Sequence, residues 1–292
     1  MQHTTIRAVM KAARIWAGVA ILATAVGAVD RFPRRAGEAS GTTAVAAPNA
    51  PDPGTAAANA KSMLKSMSDY MAAQKAISFD YDTYLEVVSK QNQKLGLASS
   101  GSITMNRPDK IRVRRTGGFA SVEVVFDGQT LTMLGKNLNA YAQVQTQGTV
   151  DQLVDQLRDK YHRPIPGADL LMSNIYDQLM PEVLDSKDLG SGVIGGVECD
   201  HLAFRTKDVD WEIWIAQGKR PYPCRYVITS TQVNGAPQYT IDLRAWKAGT
   251  EVASDRFSLE PPAGARKLNA GDLRDFDELP AIFAMNKESR GN

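Results

Sequence analysis

Histidine and cysteine are nearly missing from this chain of 292 residues, which holds only His3, His162 and His201, and Cys199 and Cys224. So few imidazoles and thiols leave little for proton shuttling or metal binding. The cysteines form neither a CxxC redox motif nor a zinc-like spacing. Neither sign of charge dominates: 34 basic and 32 acidic residues give a net charge of +2. That balance removes the electrostatic case for nucleic acid or a strongly acidic partner. Beyond the N-terminal stretch no apolar run reaches the ~20 residues that a spanning helix needs.

The N-terminus has a pattern of its own. Arg7, Lys11 and Arg14 precede the short apolar run Ile15–Ala28, and no acidic residue comes before Asp30. A basic segment, an apolar run and small residues predict a secretory signal, cleaved after Ala25 or Ala28. Without a cysteine nearby, lipid attachment at the new terminus is excluded. Residues 1–28 are therefore read as a signal peptide and the protein as periplasmic. Residues 29–59, rich in Ala, Pro, Gly and Thr, have too little apolar mass to offset their ordering entropy and predict a disordered linker.

From Ala60 to Ile77, Met63, Leu64, Met67, Tyr70 and Met71 recur at three and four residues, which predicts a helix docked by one apolar stripe. The period then becomes two. Strands are predicted over Phe79–Lys90, Leu97–Met105, Lys110–Arg115, Ser121–Phe126, Thr130–Gly135 and Asn139–Thr146, divided by short turn signals. Helices follow at Thr149–Tyr161, with Thr149 as N-cap, and at Ala168–Met180. Strands resume at Ser186–Val193, Glu198–Arg205, Val209–Ala216, Arg225–Val233, Gln238–Trp246 and Asp255–Leu259. The end of the chain, 269–292, reads as a loose tail. Strands this numerous, with few helices between them, exclude parallel crossovers. The prediction is a mainly β (α+β) protein: a strongly curved antiparallel incomplete β-barrel of about eleven strands, with helices lidding its concave face.

The stretch Val197–Thr229 carries both cysteines and two of the four tryptophans. A turn centred on Lys207 and Asp208 pairs Phe204 with Trp211, Leu202 with Ile213, His201 with Trp214 and Cys199 with Ala216. A return strand starting at Cys224 would pair Ala216 with Cys224, Trp214 with Tyr226 and Ile213 with Val227. One face then carries Leu202, Phe204, Trp211, Ile213 and Val227; the other carries Cys199, His201, Glu212, Trp214, Cys224 and Tyr226. In a regular ladder Cys199 and Cys224 stand roughly 10 Å apart across the middle strand, too far for a disulfide. An oxidising compartment favours the bridge. Bridge and free thiols both stay open.

Other motifs carry little. Gly190–Gly195 (GSGVIG) matches a dinucleotide fingerprint literally, but a strand follows where a helix is required, so it reads as a hairpin loop. His201 beside Cys199 has no orienting third group, and no enzyme activity is read from it. Arg112 and Arg114 share one strand face, which reads as a solvated outer surface.

The segments Gly196–Ile215, Arg220–Thr229, Phe257–Ala265, Met105–Val113 and Phe126–Leu134, in that motif order, resemble domain-of-unknown-function family 2092, predicted periplasmic proteins. The resemblance covers roughly Ala60–Leu268 and implies one domain over 60–268. That family is similar to the lipoprotein-carrier-like fold, whose members bind lipoprotein acyl chains or act as periplasmic sensors with a protein partner. The resemblance implies a carrier of an apolar or lipid ligand without a cofactor. The alternative it leaves open is a sensor or adaptor binding a protein partner through an outer face near Trp214 and Tyr226. It also makes the apolar stripes candidates for a cavity wall: Val124, Phe126, Leu131 and Met133 on strands, and Leu153, Leu157, Leu171, Ile175 and Leu179 on helices. No ligand-binding residue carries over by position, and oligomeric state is left open.

Overall fold

Alternating apolar and polar residues form one sheet that both halves of the chain build. The structure, a computed structural model, describes residues 53–269 apart from 90, 119–120 and 161–164. The signal segment, most of the linker, His162 and the tail beyond 269 lie outside the described residues.

Six strands follow one another as a meander: β1 (Ala76–Val88), β2 (Lys94–Asn106), β3 (Lys110–Gly117), β4 (Ser121–Phe126), β5 (Thr130–Gly135) and β6 (Ala140–Gln145). A second meander holds β7 (Asp185–Ile194), β8 (Val197–Arg205), β9 (Val209–Ala216), β10 (Pro223–Ser230) and β11 (Gln238–Ala248). β11 pairs with β1 and joins the two. The order is β12-β6-β5-β4-β3-β2-β1-β11-β10-β9-β8-β7, so among the described residues β7 and the short β12 (Arg266–Lys267) are the sheet's edges and the barrel is incomplete. Every pairing is antiparallel except that of β12 with β6.

The helices roof the inner face. α1 (Pro53–Ala73) buries Ala60, Leu64, Met67 and Met71 and lies against β7 and β8. It takes in residues 53–59, which composition had assigned to the linker. Alanine is the best helix former and Pro53 sits where its missing N–H costs nothing, so the segment continues the helix. α2 (Val150–Asp159) starts at Thr149, whose side chain accepts from the Gln152 N–H, while the Gln152 side chain accepts from the Thr149 N–H. The helix predicted over Ala168–Met180 is split into a 3-10 turn (Ala168–Leu171) and α3 (Ile175–Leu179). Tertiary partners replace the helical bonds at the break. Arg107 donates to the Met172 carbonyl (3.3 Å), Ser173 donates to the Asp151 carboxylate, and the Tyr176 N–H donates to Ser68 Oγ (3.0 Å). These bonds carry the roof from the β2–β3 turn to α1.

The convex side has a cover that the sequence reading missed. Residues predicted as a strand over Asp255–Leu259 cross the back of β3 and β4 without ladder pairing. Side chains hold them instead: Arg112 Nε donates to Asp255 (2.7 Å) and its Nη2 to the Ser258 carbonyl (2.9 Å), while Phe257 is buried at φ +48°. Arg112 also donates to Glu123 (2.7 Å), on which Arg114 and Lys136 converge. Arg112 is thus buried rather than solvated. Burial pushes the Glu123 carboxyl up, but hydrogen bonds from Lys136 and Arg112 outweigh it and hold the group below the usual carboxylate range.

Breaking a buried pair leaves its partner charge uncompensated, a loss of about 3–5 kcal/mol. Arg112→Ala should lower stability by that amount in urea titration at pH 7, and a loss under about 1 kcal/mol would show that the network contributes little. The difference should shrink in acid, as Glu123 and Asp255 protonate below their unfolded pKa values and the wild type loses the pairing too.

Candidate functional site: the roofed concave face

Strand register sets what faces inward. Across β3 to β6 the inner rows are Val113–Val124–Met133–Ala142 and Ile111–Phe126–Leu131–Val144. Across the second meander they are Ile241–Tyr226–Ile213–Leu202 and Tyr239–Ile228–Trp211–Phe204. Phe126, Leu131, Met133, Leu153, Leu157, Leu171, Ile175 and Leu179 all belong to one continuous apolar cluster, and Val124, half-buried, packs against it. The strand candidates and the roof candidates therefore meet.

The cluster is larger than those candidates. It includes Phe79, Tyr81, Ile103 and Met105 of the first meander and the methionines of α1. Trp211 stacks on Phe204 at 4.0 Å and meets Tyr226 edge-on at 5.8 Å. Phe79, Trp246 and Tyr222 form a second stack, with centroids 5.6 and 5.0 Å apart. Trp246 reaches this face through a bulge at Ala245 (φ +51°), which reverses the alternation after Leu243.

Register also corrects the return strand. His201 faces Trp214 and Cys199 faces Ala216 as predicted. On the far side Trp214 faces Arg225, Ile213 faces Tyr226 and Glu212 faces Val227. Cys224 is the extra residue of a bulge between the pairs Pro223–Ile215 and Arg225–Trp214, and it shifts the strand by one. Tyr226 therefore lies inside the roofed face and Val227 outside. Of the two proposed outer-face anchors for a protein partner, only Trp214 is outside, between His201 (4.0 Å, stacked) and the guanidinium of Arg225 (5.8 Å). His201 is paired with Glu212 at 2.7 Å. Cys199 and Cys224 are buried free thiols, separated by β9.

Polar groups under the roof escaped the sequence reading. Asp169, in the 3-10 turn, is buried, and its carboxyl is pushed up to about 7 by burial, with the charge of Arg158 opposing and that of Asp155 adding. Burial and the nearby Asp169 charge push the Tyr226 hydroxyl up as well. Tyr81, raised to about 12 by burial against the pull of Arg115, lies across Gly101 and donates to the Arg114 carbonyl (2.9 Å). A side chain at Gly101 would meet that ring at 2.5 Å, so the strand needs glycine there. The indole nitrogens of Trp211 and Trp246 are buried and lack hydrogen-bond partners among the described residues. A buried acid has no periodic signature, and Tyr226 was displaced by a bulge that no residue pattern announced. Among the described residues no group of three or more His, Cys, Asp or Glu side chains could hold a metal ion.

The described residues thus define a class of protein built as one open, antiparallel, mainly β sheet with helices over its apolar face. Within that class the chain belongs to the predicted periplasmic protein family DUF2092, whose model matches residues 60–270. No curated protein matches it. Similar solved structures include the lipoprotein LppX of Mycobacterium tuberculosis, at 14% identity over 68% of this chain and 99% of that one (TM-score 0.42). The MucA/MucB complex of Pseudomonas aeruginosa matches at 14% over 69% and 61% (0.41), and a LolA superfamily protein, NE2245 of Nitrosomonas europaea, at 11% over 68% and 97% (0.33).

Burying an ionisable carboxyl sets a pH dependence. Because the Asp169 pKa is raised in the folded state, the unfolded chain loses its proton first. Stability then falls as pH rises from about 4 towards 7 and levels off above. Asp169→Asn should remove that slope, so the variant gains on wild type by at least about 1.4 kcal/mol between pH 5 and pH 8 in thermal melts. Parallel pH profiles would contradict the burial of an uncharged acid.

Proposed function

We propose that this protein is a periplasmic binding or carrier protein for an apolar ligand, a lipid or acyl chain, taken up under the helical roof without chemistry. The supporting observation is that roof and sheet share one continuous apolar surface that includes Phe126, Leu131, Met133, Leu153, Leu157, Leu171, Ile175 and Leu179. Each buried methylene contributes about 0.8 kcal/mol, so ten of them contribute roughly 8 kcal/mol before the costs of ordering, in the micromolar range. The methionines of α1 are unbranched and adapt to a chain of variable shape.

The roof is built to be displaced. Its 3-10 turn and α3 are short, and the polar bonds that fasten them include those of Arg107, of Asp151 with Ser173, and of Ser68 with Tyr176. An acyl chain entering between roof and sheet would exchange one apolar contact for another and leave the ladder intact.

Native mass spectrometry of the exported, purified protein should show bound lipid, and a delipidated sample should take up a fluorescent fatty acid at 1:1 stoichiometry. Leu171→Trp, which adds bulk at the roof–sheet contact, should weaken uptake about tenfold, equivalent to about 1.4 kcal/mol. Bare polypeptide together with no uptake of the probe would refute the carrier reading.

A further inference from the structure

Among the described residues on the inner rows of β1 to β6, Arg115 is the one charged side chain. Its row runs Tyr81–Gly101–Arg115–Val122–Gly135. Arg112 and Arg114 point the other way, to Glu123 on the convex side. What surrounds Arg115 on the inner face is small or neutral. Tyr81 covers Gly101 and donates to the Arg114 carbonyl, and the Ser99 and Thr83 hydroxyls bond to each other (2.6 Å). Gly117, the next inner position along β3, has no side chain to stand before the guanidinium. Arg115 lies within electrostatic reach of the phenols of Tyr81 and Tyr239. Burial raises both phenols above their ordinary range and keeps them uncharged, so neither repels an anion.

Exposure sets the patch between a covered end and a less covered one. Along β2, Met105 and Ile103 are buried, whereas Gly101, Ser99 and Leu97 are half-buried. The buried end is where the roof is fastened, by Arg107 to the Met172 carbonyl and by the Val150 N–H to the Pro108 carbonyl (2.8 Å). Arg115 is half-buried and stands at the border. Towards the roof the apolar rows of Val113 and Ile111 follow, about 7 and 13 Å away along the strand.

We propose that Arg115 holds the anionic headgroup, a carboxylate or a phosphate, of an acyl-chain amphiphile whose tail lies along the apolar rows under the roof. The guanidinium is a planar fork of donors that fits either group with two parallel hydrogen bonds. A headgroup arriving from the less covered end meets Arg115 first, and the tail then reaches Val113 and Ile111 without crossing another charge on these rows. This inference rests on the carrier reading and names the chemical class of its ligand: an anionic lipid rather than a neutral one.

The test titrates the exported, delipidated protein with dodecanoate, dodecyl phosphate and dodecanol below their micellar concentrations. Calorimetry should show at least one of the anions binding at 1:1 stoichiometry and about tenfold or more tighter than dodecanol. That preference should shrink as salt is raised. A stronger response to dodecanoate points to free fatty acids and a stronger response to dodecyl phosphate to lipid phosphates; either supports the headgroup site. Arg115→Gln should abolish the preference, and Arg115→Lys should keep part of it. The wild-type comparison needs no variant, so it decides the matter even where a variant fails to fold. Equal affinity for all three probes, or a preference that survives Arg115→Gln, would overturn the headgroup site and leave the carrier reading standing. Failure of all three to bind would refute the carrier reading and this proposal with it.

Discussion

Burial of one apolar surface between a curved sheet and a helical roof is the constraint on which this molecule depends. Neither layer can meet water alone. The inner rows of both meanders are apolar from β3 to β8, and α1, α2 and α3 each bring one apolar stripe. At about 25 cal/mol per Å² this contact is the main source of stability, and it is non-directional. Non-directional contact lets the same surface hold the protein together and, in the function we propose, accept an acyl chain in place of a helix. Stability and proposed function draw on one set of side chains.

The polar devices sit where that surface ends. On the convex side, Arg112 with Glu123 and Asp255 fastens the segment that leads to β12 and so covers the back of β3 and β4. Inside, Asp169 is buried within electrostatic reach of Arg158 and Tyr226. These groups add direction to an attraction that has none: the convex network fixes where the chain's last described segment runs, and the inner polar groups mark where the roof turns. The family and the fold are settled at the level of a predicted periplasmic protein with an incomplete, helix-roofed β-barrel. The ligand is the part that is proposed.

Much of this was legible in the residues because side-chain period and short turns are local signals. The strands from Ser121 to Thr146 and the pairing of His201 with Trp214 were readable, and so was the cap at Thr149. What was not readable depends on the third dimension. A bulge at Cys224 moved Tyr226 to the opposite face, and a second at Ala245 brought Trp246 inward. Residues 53–59 looked like linker because alanine carries little apolar mass, yet alanine is also the strongest helix former. The segment around Phe257 alternates like a strand but is held by the side chain of Arg112, 143 residues away from its partner Asp255. Among the site candidates, the apolar stripes were visible, whereas a lone buried acid such as Asp169 gives no periodic sign.

Hydrogen exchange with and without a bound fatty acid tests the central claim most directly, because it reports on roof and sheet separately. The account predicts changed protection in α2, in the 3-10 turn and α3, and in the facing β4 and β5, with β1 and β11 unaltered. Exchange that is indifferent to the fatty acid, or altered only around Trp214 and Arg225 on the outer face, would contradict it.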